Sequence, residues 1–503
     1  MRSQSWLIWL LKGVLLLSIL TLFARLTELQ VIKGRYYRTL AEENRVRRIP
    51  IPAPRGIIYA RGGEILVGNV GSVRKYEIGS NFAHVSGIIG EVNANEVGKV
   101  DPKCPDKGPK RLGSLVGRGG LEEEYDCRLR GIDGEQLLEV DTAEKLIRVL
   151  GKKDPISGED IKTNIDYGLQ KKVADLINNK RGAIVVSDGQ GQILALYSSP
   201  SFDPNLFLGQ ENSDKINKIL SDKTIPLFNR VIAGTYHPGS VFKIVVATSA
   251  LEEGKINKDF VYDDPGVITV NGFNYSNWYF NQYGGREGAI GLTRAIARST
   301  DTFFYKIGEM VGPDLIASWA DKFGLSKKTG IDLPGEVAGF IPTSVWKESF
   351  KGERWFLGNT YHMAIGQGDV SLTPLSVNME TSVIASKGFL CEPSIAHEPI
   401  CKKLEIKDSN IELIKEGMVG ACSKGGTAFP FFDFRIGVAC KTGTAETNKK
   451  EVNHAWFTVF APIESPIIVV TVLVEEGGEG SSVAAPIAKD IMDYYFSNHK
   501  VDD

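Results

Sequence analysis

The stretch WLIWLLKGVLLLSILTLFA, Trp6 to Ala24, most constrains what this chain can become. At 1.5 Å of helical rise per residue, about 20 apolar residues span the hydrocarbon core of a bilayer. The run carries one charge, Lys12, whose flexible stem can carry its ammonium to the headgroups. No A-x-A-like cleavage site follows in LFARLTELQ, so the segment reads as an uncleaved anchor rather than a removed signal peptide. The flanking charges leave the orientation open. Arg2 and Lys12 lie on one side, and Arg25, Lys33, Arg35 and Arg38 on the other. Taken alone, the positive-inside rule keeps the bulk of the chain in the cytoplasm.

The 503 residues are more than one domain needs. Hydrophobic residues make up 42% and charged residues 24%, which is globular composition. A net charge of −2 leaves no electrostatic footprint for nucleic acid, and no G-x-x-x-x-G-K-[ST] loop is present. Texture divides the chain into three. Residues 1–24 are a cytoplasmic tip and anchor. Residues 25–160 open with a charged, helix-period stalk, LQVIKGRYYRTLAEENRVRR. They continue through proline-rich IPIPAPRGIIYARGGEILVGN into a mixed, glycine-rich accessory domain. Residues 161–503 begin with GAIVVSDGQGQILALYSS, two strands around a glycine turn. They end with three more strands, FRIGVACKTGTAE, HAWFTVFAP and PIIVVTVLVEE, and a closing helix, AAPIAKDIMDYYF. A sheet built from both ends of a domain, with helices inserted between, is an α/β architecture with a helical lobe.

Within that lobe, HPGSVFKIVVATSALEEG reads as a helix apolar on nearly every side, yet it carries Lys243 three residues after Ser240. Serine is a poor nucleophile until a base takes its proton. A lysine buried among apolar groups is pushed toward its neutral form, and a second cation pushes it further. The helix start adds backbone N–H groups where negative charge would develop. S-x-x-K is nevertheless a weak pattern. It also occurs at Ser72/Lys75, Ser344/Lys347 and Ser497/Lys500, and K-T-G occurs at both Lys328 and Lys441. A rival trio is Ser344/Lys347, Ser376-Val377-Asn378 and Lys441. Context selects Ser240. SVWKESFKGER is amphipathic and surface-like, Ser72 lies in a loop and Ser497 in the tail. Lys441 ends the apolar strand RIGVAC and can line a cleft at a sheet edge, whereas Lys328 lies in a loop. Between them, AIARSTDTFFYKIG presents Ser299-Thr300-Asp301, which taken alone reads as a helix cap.

Six cysteines are too sparse for a disulfide scaffold. Cys391 and Cys401 are placed to bridge a hairpin, and six free thiols are the alternative. Neither histidine nor cysteine occurs between Lys243 and Ser299, so no metal or other cofactor is expected.

S-x-x-K, S-x-N-type and K-T-G motifs in this order are the penicillin-recognising set. RGIIYARGGEIL, HVSGIIG, GLEEEYDCRLRGIDG, GQILALYSSPSFDPN, FNRVIAGTYHPGSVFK, TGIDLPGE, AIGQGDVSLTPL and HAWFTVFAP resemble segments of class B penicillin-binding proteins, in the family's order from Leu29 to Tyr495. The resemblance implies the serine β-lactamase/penicillin-binding-protein transpeptidase fold. A single transmembrane helix and a small α+β pedestal (25–160) would precede a transpeptidase domain (161–503). It implies a peptidoglycan D,D-transpeptidase at the cell membrane, single-pass, with its catalytic domain on the periplasmic or outer side. Its ligands would be D-Ala-D-Ala stem peptides, acceptor amines and β-lactams, and its partners a multi-span glycan polymerase and other wall-synthesis proteins.

Carried over residue by residue, Ser240 would be the acylated nucleophile, Lys243 its base and Ser299 the proton shuttle. Lys441 and Thr442 would orient Ser299 and bind the substrate carboxylate with the Thr444 hydroxyl. Asp301 and Gly443 would line the substrate site, and the backbone N–H groups of Ser240 and Thr444 would form the oxyanion hole. Three departures stand out. Asp301 replaces the usual asparagine, which favours the elongation type over the septal type and brings a charge that raises the Lys243 pKa. Cys440 replaces the glycine common before K-T-G. The segment from Gly63 to His84 is short where relatives carry a larger head. The rival readings are a non-catalytic scaffold or β-lactam receptor, and a hydrolase, either a D,D-carboxypeptidase or a β-lactamase.

Overall fold

The computed structural model describes residues 5–141, 143–177, 179–447, 449 and 451–499. Arg2 and Lys500 lie outside them. The chain packs as two compact units, divided differently from the expected boundaries at 24 and 160. One comprises Met1–Arg55 and Arg130–Gly158, the other Gly56–Leu129 and Glu159–Asp503.

In the first unit a helix spans Ser5–Thr27, and Trp6–Ile32 is long and apolar enough to cross a membrane. A second helix, Gly34–Arg45, is shorter than the helical stalk expected from the sequence. VRRIPI, with β-branched Val46, Ile49 and Ile51 and with Pro50, which a helix interior does not accommodate, leaves the helix as a strand, Val46–Ile51. It pairs with Gly134–Val140, which pairs in turn with Leu146–Lys153.

The second unit joins the accessory segment to the catalytic body through specific bonds. The Asn205 amide bonds both the N–H and the C=O of Tyr76, at 3.0 Å each. The Tyr125 hydroxyl donates to Asp332 at 2.7 Å. Where a larger head was expected in relatives, a hairpin of Ile65–Val70 and Val73–Tyr76 turns at Gly71 and Ser72. The elements that position the site are α1 (Tyr167–Ile177), β1 (Gly182–Ser187), β2 (Ile193–Ser199), α2 (Lys243–Glu252), α3 (Leu292–Arg298), α4 (Asp301–Val311), α5 (Pro374–Ala385), α6 (Asp408–Cys422), β3 (Ala439–Glu446), β4 (Asn453–Ala461), β5 (Ile468–Val474) and α7 (Ala485–Asn498).

The five strands form one antiparallel sheet in the order β2-β1-β5-β4-β3, so both ends of the domain meet in it as the sequence indicates. Successive side chains of a strand face opposite sides. Accordingly Ala183, Val185, Trp456, Phe460, Val469 and Leu473 enter the core shared with α2 and the lobe. Ile184, Val186, Phe457, Val459, Val470 and Val472 enter the core shared with α1 and α7. Helices cover both faces, which is why these strands read as continuous apolar runs.

All six cysteines are paired: Cys104–Cys127, Cys391–Cys401 and Cys422–Cys440. Only the second pair was foreseen. The others join positions 23 and 18 residues apart whose approach depends on the packing.

Candidate active site

The segment before Ser240 is strapped on two sides. Tyr236 exchanges backbone hydrogen bonds with Leu372, and the Gly239 N–H donates to Gly366 O at 2.9 Å. On the other side the Trp456 indole N–H donates to His237 O at 2.9 Å. Gly239 has φ of +58°, and a Cβ there would lie 2.8 Å from Thr444 O. Only glycine satisfies both the left-handed conformation and the close approach. Gly443, expected to line the substrate site, has a packing role. A Cβ on it would meet Trp456, Pro238 O and Val241 at 2.8–3.1 Å. Together the two glycines bring the start of the Ser240 turn against the backbone of β3, where Thr444 sits.

Ser240 lies in a 3₁₀ turn, Gly239–Phe242, and the α-helix begins at Lys243. In a 3₁₀ turn residues i and i+3 eclipse, which aligns Ser240 and Lys243 more directly than an α-helix would. Lys243 is fully buried. Its Nζ donates to Ser299 O at 2.9 Å, Ser299 Oγ at 3.2 Å and Asp301 Oδ1 at 2.6 Å, and lies 5.1 Å from the Phe304 ring centre. Phe304, a wall of this chamber, was missed from sequence. Its only signal was the apolar FF following S-T-D.

Ser299 ends α3 in the left-handed region, φ +54°, and Thr300 leads into α4. Asp301 is the first residue of α4, where the helix dipole favours its charge. S-x-D is therefore a helix start, but neither side chain caps it. Both turn to the lysines.

Lys441, fully buried on the edge strand β3, donates to Ser299 Oγ at 2.8 Å and to Thr442 O at 3.0 Å. The Thr442 hydroxyl instead bonds Thr427 Oγ1 at 2.8 Å. Thr444 Oγ1 accepts from the Gly480 N–H at 3.4 Å.

Burial pushes the Lys243 ammonium below the ordinary lysine range, against the opposing charge and hydrogen bond of Asp301. Asp301 does raise the value, as expected, but desolvation is the larger effect. Lys441 is pushed well down, first by burial and then by the charge of Lys243, with Asp301 opposing.

The rival motifs do not assemble. Ser344 Oγ donates to Asp314. Lys347, expected at the surface, is buried at 5% exposure because Asn359 and Glu353 satisfy it at 2.8 and 3.2 Å. Asn378 is tied into the sheet by Ser187 and Thr471. Lys328 is exposed in a loop.

Two lysines meeting on one serine hydroxyl, beside a second serine at a helix start, form an acid–base relay suited to acyl transfer. The penicillin binding protein transpeptidase domain model matches residues 182–493, and the penicillin-binding protein dimerisation domain model matches 70–163. The peptidoglycan D,D-transpeptidase MrdA of Haemophilus influenzae is 29% identical, over 96% of this chain and 90% of its own. PBP2 of Pseudomonas aeruginosa, solved in complex with WCK 5153, is 32% identical with a TM-score of 0.78, over 90% and 97%. A peptidoglycan synthase complex, solved for the structural coordination of polymerization and crosslinking, holds a chain 26% identical with a TM-score of 0.78, over 99% of each. With Lys243, one turn after Ser240, meeting Lys441 on the Ser299 hydroxyl, and with the transpeptidase model covering most of its length, this chain belongs to the penicillin-binding protein transpeptidase family, as a class B member most like the elongation type.

Proposed function

We propose that this chain is a membrane-anchored peptidoglycan D,D-transpeptidase of cell elongation, acylated at Ser240. The observation that carries the reading is the meeting of Lys243 and Lys441 on the Ser299 hydroxyl, beside the Ser240 turn. Burial and the charge of Lys243 both push the Lys441 ammonium well below the ordinary lysine range, which favours a neutral Lys441 beside a charged Lys243. The Ser299 hydroxyl then accepts from Lys243 and donates to Lys441. Passing a proton along this line leaves Lys243 neutral. Lys243 takes the Ser240 proton as Oγ attacks the carbonyl of the penultimate D-Ala. The developing oxyanion is met by the backbone N–H groups of Ser240 and Thr444, whose proximity the Gly239 contact enforces. As the C–N bond breaks, Ser299 protonates the leaving D-Ala amine and is resupplied by the lysines. Lys441 and the Thr444 hydroxyl hold the terminal carboxylate, with Asp301 steadying Lys243. The amine of a neighbouring stem then attacks the acyl-enzyme and the protons travel in reverse. A β-lactam enters as a mimic of the donor and stops at the acyl stage.

The three disulfides favour a catalytic body outside the cytoplasm, because such bonds persist in oxidising compartments. This outweighs the flanking charges. A partner multi-span glycan polymerase is proposed from the likeness to the synthase complex.

The test is covalent labelling of the full chain by a fluorescent penicillin. We expect a band in wild type and in Ser344→Ala, and none in Ser240→Ala. A donor stem peptide offered with an amine then separates transfer from hydrolysis. Release of D-Ala without amine incorporation would replace transpeptidase with carboxypeptidase.

A further inference from the structure

β3 is the edge of its sheet. It pairs with β4 on one side only, and it carries Lys441 and Thr444. Such a strand has half the ladder bonds of an interior one, so something else must hold it. Cys440, one residue before Lys441, points to the opposite face and is fully buried. It is bonded to Cys422, the last residue of α6, with a Cα–Cα distance of 5.9 Å.

α6 packs against both β3 and α3. Its approach to α3 is close. A Cβ at Gly417 would lie 2.7 Å from the Ile296 Cβ, and one at Gly420 would lie 3.0 Å from the Ala297 Cβ. α3 ends directly at Ser299. The loop after α6 repeats the connection. Arg298 donates to Gly425 O at 3.3 Å, and Thr427 bonds Thr442 at 2.8 Å. A continuous brace therefore runs from Ser299 through α3 and α6, across the disulfide, to Cys440 and Lys441. Its two ends meet again at the 2.8 Å contact of Lys441 Nζ with Ser299 Oγ.

We propose that the Cys422–Cys440 disulfide is a positioning element for acyl transfer, fixing β3 so that Lys441 and Thr444 keep their place against Ser299 and Ser240. This rests on the reading of Ser240 as the acylated nucleophile. Cys391–Cys401 serves as the contrast. It joins two short strands already paired by hydrogen bonds, within another part of the body.

The experiment measures the rate constant of acylation by a fluorescent penicillin, across pH, on the full chain in detergent. Thermal melting reports folding. In Cys422→Ala/Cys440→Ala we expect labelling still at Ser240 but about 10- to 100-fold slower, the size of effect that a small misplacement of catalytic groups produces. The acid limb of the profile should also move to higher pH, because loosening admits water and relieves the burial that keeps both lysines low. Cys391→Ala/Cys401→Ala should keep the wild-type rate and profile. A folded Cys422→Ala/Cys440→Ala protein with the wild-type rate and profile overturns the proposal. Where that variant does not fold, wild type is treated with a dithiol. The S–S bond takes up two electrons and two protons to give two thiols, and the dithiol leaves as its own disulfide. Alkylation mapped by mass to Cys422 and Cys440, with Cys391→Ala/Cys401→Ala treated in parallel, confirms that this bond is the one opened. Acylation should slow and recover on reoxidation, and an unchanged rate with the bond open overturns the proposal. Failure of wild type to label at Ser240 would instead sink the proposed function.

Discussion

Asp301 holds Lys243 through a 2.6 Å ion pair, and Lys243 shares the Ser299 hydroxyl with Lys441. The three charges are coupled, so changing one moves the others. Asp301 raises the Lys243 value against the larger effect of burial. In Asp301→Asn that support is gone and Lys243 falls further. Its neutral form is then populated at lower pH, so the acid limb of the acylation-rate profile should shift to more acidic pH. A profile measured with a fluorescent penicillin checks this, and an unmoved limb would mean that Asp301 does not govern the base. The residue types of the site were legible in the sequence because a lysine inside an apolar helix has few explanations. The Thr442 hydroxyl was not. Its partner, Thr427, is far less distinctive in sequence and is reached only after the loop following α6 folds back.

Strands β1 to β5 follow short, β-branched apolar runs bounded by glycine or proline, because both faces of their sheet are covered, and the closing helix α7 follows a longer apolar-periodic segment. The Ser240 element is different. A long apolar run marks a helix there, but the tighter first turn comes from its straps to Leu372, Gly366 and Trp456. α5 carries an unusual group, Glu380, on a helix buried nearly throughout. Neither carboxyl oxygen has a partner in good hydrogen-bond geometry, and burial, opposed only by a contact with the Val245 backbone, pushes the group well above the usual carboxylate range. The folded chain therefore keeps a proton that the unfolded chain gives up above about pH 4.3. This stability is fully present below that pH. Above it, roughly 1 kcal/mol is lost per pH unit until the folded-state value is passed. Glu380→Gln cannot ionise and lacks this slope. The melting temperature of the variant relative to wild type should rise between pH 5 and pH 8, and a constant difference would mean that the carboxyl is satisfied.

At the scale of the whole molecule, the apolar N-terminal helix and the three disulfides bear on the same question from different directions. The helix is long and apolar enough to hold the chain at a membrane, and the disulfides favour the side away from the cytosol. Protease added to the outside of spheroplasts should digest the catalytic body. Full protection of that body would reverse the proposed orientation. The split of the accessory segment was not readable from composition. Residues 130–158 pack with the N-terminal unit, whereas 56–129 pack with the catalytic body, because strand pairing in one case and side-chain bonds such as Tyr125 to Asp332 in the other join segments remote in sequence.

The apolar helix, the strands at both ends of the catalytic domain and the odd lysine of the Ser240 helix were legible in the chain's own pattern, whereas Ser299 reads alone as a helix cap and was reached only through the family resemblance. The first three depend on local pattern: apolar length, short apolar runs, or a charged group in an apolar run. Only the tertiary structure decided the burial of Lys347, the packing role of Gly443, the direction of the Lys243 shift and the pairing of Cys422 with Cys440. These depend on which distant groups come within a few ångströms of one another, and on whether desolvation or a neighbouring charge is the stronger, neither of which a one-dimensional pattern contains.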